Sequence, residues 1–320
     1  MGCRSIVKSL MSRLDSRRTG RFAALLLLAT LPLAGCGALK GAAVNTVAST
    51  LAQTGTTFSS DNDPELIRES IPFALKLYES ILESTPKHKE LLIATCSAFT
   101  QYAYGFIETD AEVLGEARHD EVVKLKARAL KLYIRGKDYC YRAMDVRWKG
   151  MTAALMKDPA AALKRAEKKD VPLLYWTAAS LGAAVSLGLD QPELVVDLPT
   201  VRALAERAIA LDETWSKGAL HELMITIDSL PAALGGSPER AKEHFEKAVK
   251  IQEGKSPGPY VALATGVMVP AQDRAGFEKL LNEALAIDPL KDPSTQLVTL
   301  IAQRRARALL DNIESKFAKH

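Results

Sequence analysis

The stretch PERAKEHFEKAVK, residues 238–250, sets Ala241, Phe245 and Ala248 four and three positions apart, with charged side chains filling most of the positions between. That spacing lines up one face of an α-helix, because a 3.6-residue turn brings every third and fourth side chain together. The arrangement recurs at Phe277, Leu281 and Ala284, at Val201, Ala205 and Ala208, and at Ala74, Tyr78 and Ile81. Residues 90–107 and 121–135 also repeat apolar side chains at three and four. No stretch sustains a period of two with β-branched enrichment, so the pattern predicts an all-α chain and gives a sheet no support. Pro86, Asp158-Pro159, Pro172, Pro199, Gly235-Gly236-Ser237-Pro238, Pro257, Pro270 and Asp288-Pro289 fall between these segments. Short connections between amphipathic helices predict antiparallel neighbours and hence stacked hairpins. Pro72 falls inside a helical pattern and is predicted to split or kink the first helix.

Pro289 and Pro86 each follow the first member of their triplet, Phe277 and Ala74, by twelve residues. Small, large, small and then proline is the layout of the second helix of a tetratricopeptide repeat, where a small residue lets the paired helix approach. Any amphipathic helix has the same spacing, so the weight rests on recurrence with short turns. The intervals are irregular, 40 residues from Ala208 to Ala248 and 36 from Ala248 to Ala284. These features predict a divergent tetratricopeptide-like hairpin array, an α-α superhelix, over residues 61–320. It opens at Asp61-Asn62-Asp63-Pro64-Glu65, where acids cap free amides and proline sits where a missing N–H costs nothing.

Residues 171–189 contain no charge, which suits either a membrane span or a buried helix. Four alanines, two glycines, two serines and Thr177 dilute its apolar content, so the buried central helix is the better reading. Ala178, Gly182 and Ser186 form a small-residue track for close helix contact. The segment from Phe99 to Phe106 is dense in aromatics in a chain with 6% of them. Phe99, Tyr102 and Phe106 share a face suited to core packing. Tyrosines also line cavities, because a buried hydroxyl needs a partner, and Tyr175 and Trp176 would complete such a cavity.

At the other end, Arg13, Arg17, Arg18 and Arg21 precede an uncharged apolar run over 22–33, too short to cross a bilayer. The run ends in Leu33-Ala34-Gly35-Cys36, which resembles the bacterial lipobox, so residues 1–35 read as a lipoprotein signal and Cys36 as the lipidation site. Residues 36–60, rich in Gly, Ala, Ser and Thr, read as a tether, part of it helical. The whole chain carries 42 basic and 38 acidic side chains. The first 35 residues hold six of the basic and one of the acidic, so the remainder has 36 against 37, a formal charge of −1. Without a basic excess there is no counterion-release drive toward nucleic acid and no polybasic hold on lipid. Attachment to a membrane then rests on the acyl chains. Of the four cysteines, Cys96 and Cys140 remain, either paired in an oxidising compartment or free and buried.

Chemistry finds little to work with. No Gly-rich phosphate loop and no Gly-x-Ser-x-Gly elbow occur, and His88, His119, His221, His244 and His320 lack ligand spacing. No catalytic residue, metal or cofactor is expected, and the chain does not read as an enzyme. Glu108 and Asp110, near Glu112, read as a solvated turn rather than an acid/base pair. His221 is the histidine to watch, with a capping or core role as its ordinary reading.

Six pieces taken in order resemble the TatT family, the tetratricopeptide-like T components associated with TRAP (tripartite ATP-independent periplasmic) transporters. They are residues 61–69, DNDPELIRE; 73–76, FALK; 99–104, FTQYAY; 175–184, YWTAASLGAA; 197–201, DLPTV; and 218–221, GALH. Asn62 stands where the family pattern has an acid. The resemblance implies a periplasmic lipoprotein that forms a homotrimer and docks the solute-binding P subunit. It also implies an internal cavity for a small apolar or amphipathic ligand, with Phe99, Tyr102, Tyr104, Tyr175, Trp176 and His221 as its lining. Gly37, in place of an aspartate that retains lipoproteins at the inner membrane, favours the outer one. The alternative from a different class is an envelope scaffold that mediates protein assembly without a small ligand.

Overall fold

The computed structural model describes residues 44–52, 55–115 and 118–317; Cys36 and the rest of the signal segment lie outside the described residues. The chain divides into two units, Met1–Val47 and Ala48–His320. Of the first, residues 44–47 are described and are helical.

Ala48–His320 is built from helices, and no strand occurs among the described residues. The main ones are α1 (Pro64–Ser84), α2 (Lys89–Tyr102), α3 (His119–Arg147), α4 (Met151–Lys157), α5 (Pro159–Leu163), α6 (Val171–Leu187), α7 (Leu198–Asp212), α8 (Ala219–Asp228), α9 (Pro238–Ile251), α10 (Gly258–Leu263), α11 (Arg274–Leu285) and α12 (Gln296–Asp311). Three start the same way. Asp63, Asp158 and Ser237 each accept a hydrogen bond from a free backbone amide of the first turn, and the next residue is a proline with no amide to satisfy. Pro72 does not split α1, which runs unbroken through it. The ring sits on the exposed side, where a carbonyl deprived of its amide donor can bond to water.

The helices pack largely in sequence order: α1 on α2, α2 on α3, α3 on α6, α6 on α7, α8 on α9, α10 on α11 and α11 on α12. The triplets face inward most fully late in the chain, where Val201, Ala205, Ala208, Ala241, Ala248, Phe277, Leu281 and Ala284 are inaccessible to solvent. Uncharged α6 buries Leu173, Leu174, Thr177, Ala178, Ser180, Leu181, Ala184 and Val185. No described helix is long and apolar enough to cross a membrane. Ala178 is buried, and a Cβ on Gly182 would stand 3.1 Å from Val201 of α7. Ser186 is exposed, so the small-residue track ends at Gly182.

Cys96 of α2 and Cys140 of α3 form a disulfide with a Cα–Cα distance of 5.4 Å. The same interface needs Gly136, where a Cβ would lie 3.1 Å from Thr100 Oγ1 and 3.2 Å from the Cys96 carbonyl oxygen. At the far end, α12 turns back onto α1, onto the helical turns Ala103–Glu108 and onto Thr109–Leu114. Leu297 of α12 accordingly shares a core with Phe99, Phe106 and Tyr133. The last helix thus lies on the first.

The disulfide spans 44 positions, and a loop of that length removes about 4 kcal/mol of chain entropy from the unfolded state in the loop-closure model. Replacing both cysteines by alanine should lower the urea unfolding free energy by up to about that amount. Urea titration with and without reductant measures it, and reductant should affect the parent protein alone.

Candidate functional site

The site begins with a local departure from regular helix. Between α2 and Thr109–Leu114, residues Ala103–Glu108 form a π-helical segment, one residue wider per turn than its neighbours. Gly105 lies within it, and a Cβ there would stand 3.2 Å from Cδ1 of Ile301 on α12. Thr109 donates its hydroxyl to the Tyr104 carbonyl at 3.1 Å. These turns bring Tyr104 and Glu108 to the inner side of the junction with α12.

Arg305 of α12 joins the two ends of the chain. Its Nε and Nη2 donate to the two carboxylate oxygens of Glu112 at 2.5 and 2.6 Å, and its Nη1 donates to the Tyr104 hydroxyl. A second junction lies alongside, where Arg68 makes two bonds to Asp110 at 2.5 and 2.7 Å and Arg304 reaches the same carboxylate at 3.2 Å. The solvated turn expected at 108–112 is therefore wrong. Thr109–Leu114 is helical, Asp110 and Glu112 are ion-paired to arginines of α1 and α12, and Glu108 accepts the Tyr133 hydroxyl at 2.6 Å. Their partners lie up to 194 residues away, beyond the reach of local pattern.

Several side chains here are touched by solvent yet stripped of bulk water. Tyr104 is 43% exposed, but burial pushes its hydroxyl up to about 12, with the Arg305 charge opposing. Burial likewise raises Tyr175, with the charge of Glu222 adding to it. Glu222, half-buried on α8, is raised to about 7 by burial, against the lowering influence of Gln252 and Arg305. Glu108 is raised by burial too. Burial also works against the Arg305 charge, but Glu112, Tyr104 and Glu108 outweigh it and hold the guanidinium well above its ordinary value. Accessible surface and poor hydration coexist where groups face a recess walled by protein. Tyr104 feels the charges of Arg305 and Glu222, Tyr175 feels Glu222 and Tyr104, and Glu222 feels Arg305, so side chains of four elements lie near one another.

Of the residues expected to line a cavity, Tyr104 and Tyr175 lie near enough for one to influence the charge of the other. Trp176 stands against Tyr175, ring centroids 4.8 Å apart, and Trp215 packs on the same tyrosine at 4.8 Å. Phe99 and Tyr102 are buried in the core instead, stacked on Tyr139 at 5.9 Å and tilted against Phe106 at 5.8 Å. His221 lies between α8 and α9, its Nδ1 2.8 Å from Nδ1 of His244 and its Nε2 3.6 Å from Glu213. The neighbouring Glu222, a third of a turn round the helix, takes the place at the recess. Glu108, Tyr133, Glu222 and Arg305 carry no local mark of their role. An acid inside the apolar run Leu220–Ile225 was the available signal for Glu222.

A second concavity of about 250 Å³ involves Arg202, Met224, Asp228, Arg240 and His244. Fully buried Asp228 accepts from Arg202 and Arg240, and both guanidiniums also bond the Gly235 carbonyl. This knot fastens the loop between α8 and α9.

The described residues form an all-helical array whose last helix lies on its first, with aromatic and acidic side chains of four elements gathered near Arg305. Residues 60–317 match the family described as TRAP transporter T-component, and the chain belongs to that family. It is also 29% identical over 265 residues, 81% of this chain and 82% of the other, to an uncharacterized protein of Treponema pallidum (strain Nichols). Membership makes it a component associated with TRAP transport systems of the cell envelope.

Two measurements bear on the junction and the recess. Arg305→Ala leaves the partly buried Glu112 without its partner, which should cost about 2–4 kcal/mol in urea unfolding. Arg305→Lys, lacking the two-pronged donor, should recover only part. For Glu222, the folded carboxyl holds its proton above the pH at which the unfolded one releases it. Its contribution to stability is therefore present below about pH 4.5 and is lost as pH rises toward 7. Glu222→Gln should gain stability relative to the parent as pH goes from 5 to 8, read as the difference between their urea midpoints.

Proposed function

We propose that the protein is a non-enzymatic accessory component of a TRAP-type transport system, held to a membrane through Cys36, that binds the solute-binding P subunit and shelters a small apolar or amphipathic ligand in its inner recess. Family membership supports the transport role. The ligand role is supported by Tyr104 and Tyr175, which keep accessible surface while burial raises both hydroxyls, the signature of groups facing a poorly hydrated recess. Trp176 and Trp215 extend that wall. The Cys96–Cys140 bond suits an oxidising compartment such as the periplasm. Residues 1–35 serve as the export signal and 36–60 as the tether, with Ala48 packed into the core of the body. Gly37 favours the outer membrane as the site of the anchor. The hairpin array is of tetratricopeptide type, supported by its recurring buried small residues at Ala205, Ala208, Ala241 and Ala248. Copies of the chain associate as a homotrimer.

The test is co-purification with the solute-binding P subunits of the TRAP systems in the same organism. A complex that survives gel filtration at micromolar concentration is the expected result. Failure to associate, together with capture of outer-membrane assembly proteins, would favour a plain envelope scaffold. Cys36→Ala should release the protein from the membrane fraction into the soluble one.

A further inference from the structure

The charges around the recess do not balance. Arg305 is spent, since both oxygens of Glu112 bond its guanidinium and its third nitrogen is taken by Tyr104. Glu108 has the Tyr133 hydroxyl as its partner. Among the described residues Glu222 has no ion pair, and it faces a neutral amide, that of Gln252. Its carboxyl is set into a niche made by a missing side chain: a Cβ on Gly258, the first residue of α10, would come within 2.2 Å of Oε1. The Tyr175 hydroxyl has no hydrogen-bond partner among the described residues.

The other charged and titratable groups around α8 serve other contacts. From α9, His244 faces His221 and Arg240 bonds Asp228, while Lys247 bears on the two histidines. Arg202 of α7 also bonds Asp228, and Lys217, just before α8, pairs with Asp292. On α10, Tyr260 packs edge-on against Phe245. An uncompensated carboxyl beside the aromatic faces of Tyr104 and Tyr175 disfavours an incoming anion, because Arg305 is already neutralised. A cation is favoured by the carboxylate alone, since the Tyr104 ring already carries Arg305 over it, 5.0 Å from its centroid.

We propose that the recess selects amphiphiles with a cationic head, such as a protonated amine on an apolar body, and that Glu222 is the counter-charge. This rests on the reading of the recess as a ligand site and adds the chemistry of the head group. Glu222 titrates at about 7, so the competent ionised form rises roughly tenfold between pH 6 and pH 8, and apparent affinity for an ammonium head rises with it.

Octylamine, 1-octanol and octanoate share a tail and differ in the head. They can be titrated into the purified protein by calorimetry, with the fluorescence of Trp176 and Trp215 as a second readout. At pH 8 octylammonium should bind about tenfold or more tighter than octanol, with octanoate weakest. The preference should shrink about tenfold at pH 6 and collapse toward unity in Glu222→Gln. Glu213→Gln, beside His221 on the other side of α8, should retain it. Equal binding of the three compounds, or tightest binding of octanoate, overturns the head-group proposal while leaving the ligand-site reading standing. Binding of none overturns both. Glu222→Gln with its amine preference intact removes Glu222 as the anchor. If that variant does not fold, a flat pH profile in the parent protein overturns the assignment equally.

Discussion

Arg305 bonds Glu112 through two parallel N–H···O contacts and Tyr104 through a third, and on this junction the closed form of the molecule depends. An array of helical hairpins has no intrinsic reason to meet its own beginning, because each hairpin is satisfied by its neighbours. Closure needs an added contact between ends some 190 residues apart that holds a fixed angle. A planar guanidinium on a carboxylate has that property, since both partners must be coplanar to make two bonds. The adjoining Arg68–Asp110–Arg304 cluster repeats the device. Leu297, and Ile301 against Gly105, supply the apolar contact between the polar pins.

Closure also makes the chemistry of the interior. Tyr104, Glu108 and Glu112 belong to one segment near the start of the fold, Tyr175 and Glu222 to helices in its middle and Arg305 to its last helix. On an open array these groups would be hydrated surface residues. Facing one another, they lose bulk water, and the direction of every shift follows. The phenols and the lone carboxyls rise because burial penalises their charged forms. Arg305 alone has enough opposite charge beside it to keep its own. The same junction thus both fastens the ring and neutralises the cation inside it, leaving Glu222 as the polar group with spare capacity.

Much of the architecture was legible along the chain because it is set by local rules. Asp63-Pro64 announced a helix start, and Asp158-Pro159 and Ser237-Pro238, read as breaks between helices, cap the helices that follow them. The charge-free stretch around Leu181 was correctly a buried helix, and the small residues of the triplets near the end of the chain were correctly core. Pro72 did not split its helix, because on the exposed side the lost bond can be replaced by water. Cys96 and Cys140 stayed ambiguous, since an apolar helix face looks alike whether it holds a thiol or a disulfide. The aromatic cluster was split by the fold: Phe99 and Tyr102 turned to the core, while Tyr104 kept exposed surface and bonded Arg305.

By itself, the sequence determined the all-helical class, the order of the hairpins and the resemblance to T components, since periodicity, capping and turn chemistry act over a few residues. Only the tertiary structure decided which acids are paired, which are stranded and which tyrosine meets which. Those outcomes depend on distances between segments far apart in the chain, and a carboxylate such as Glu112 or Glu222 acquires its character from what is folded against it.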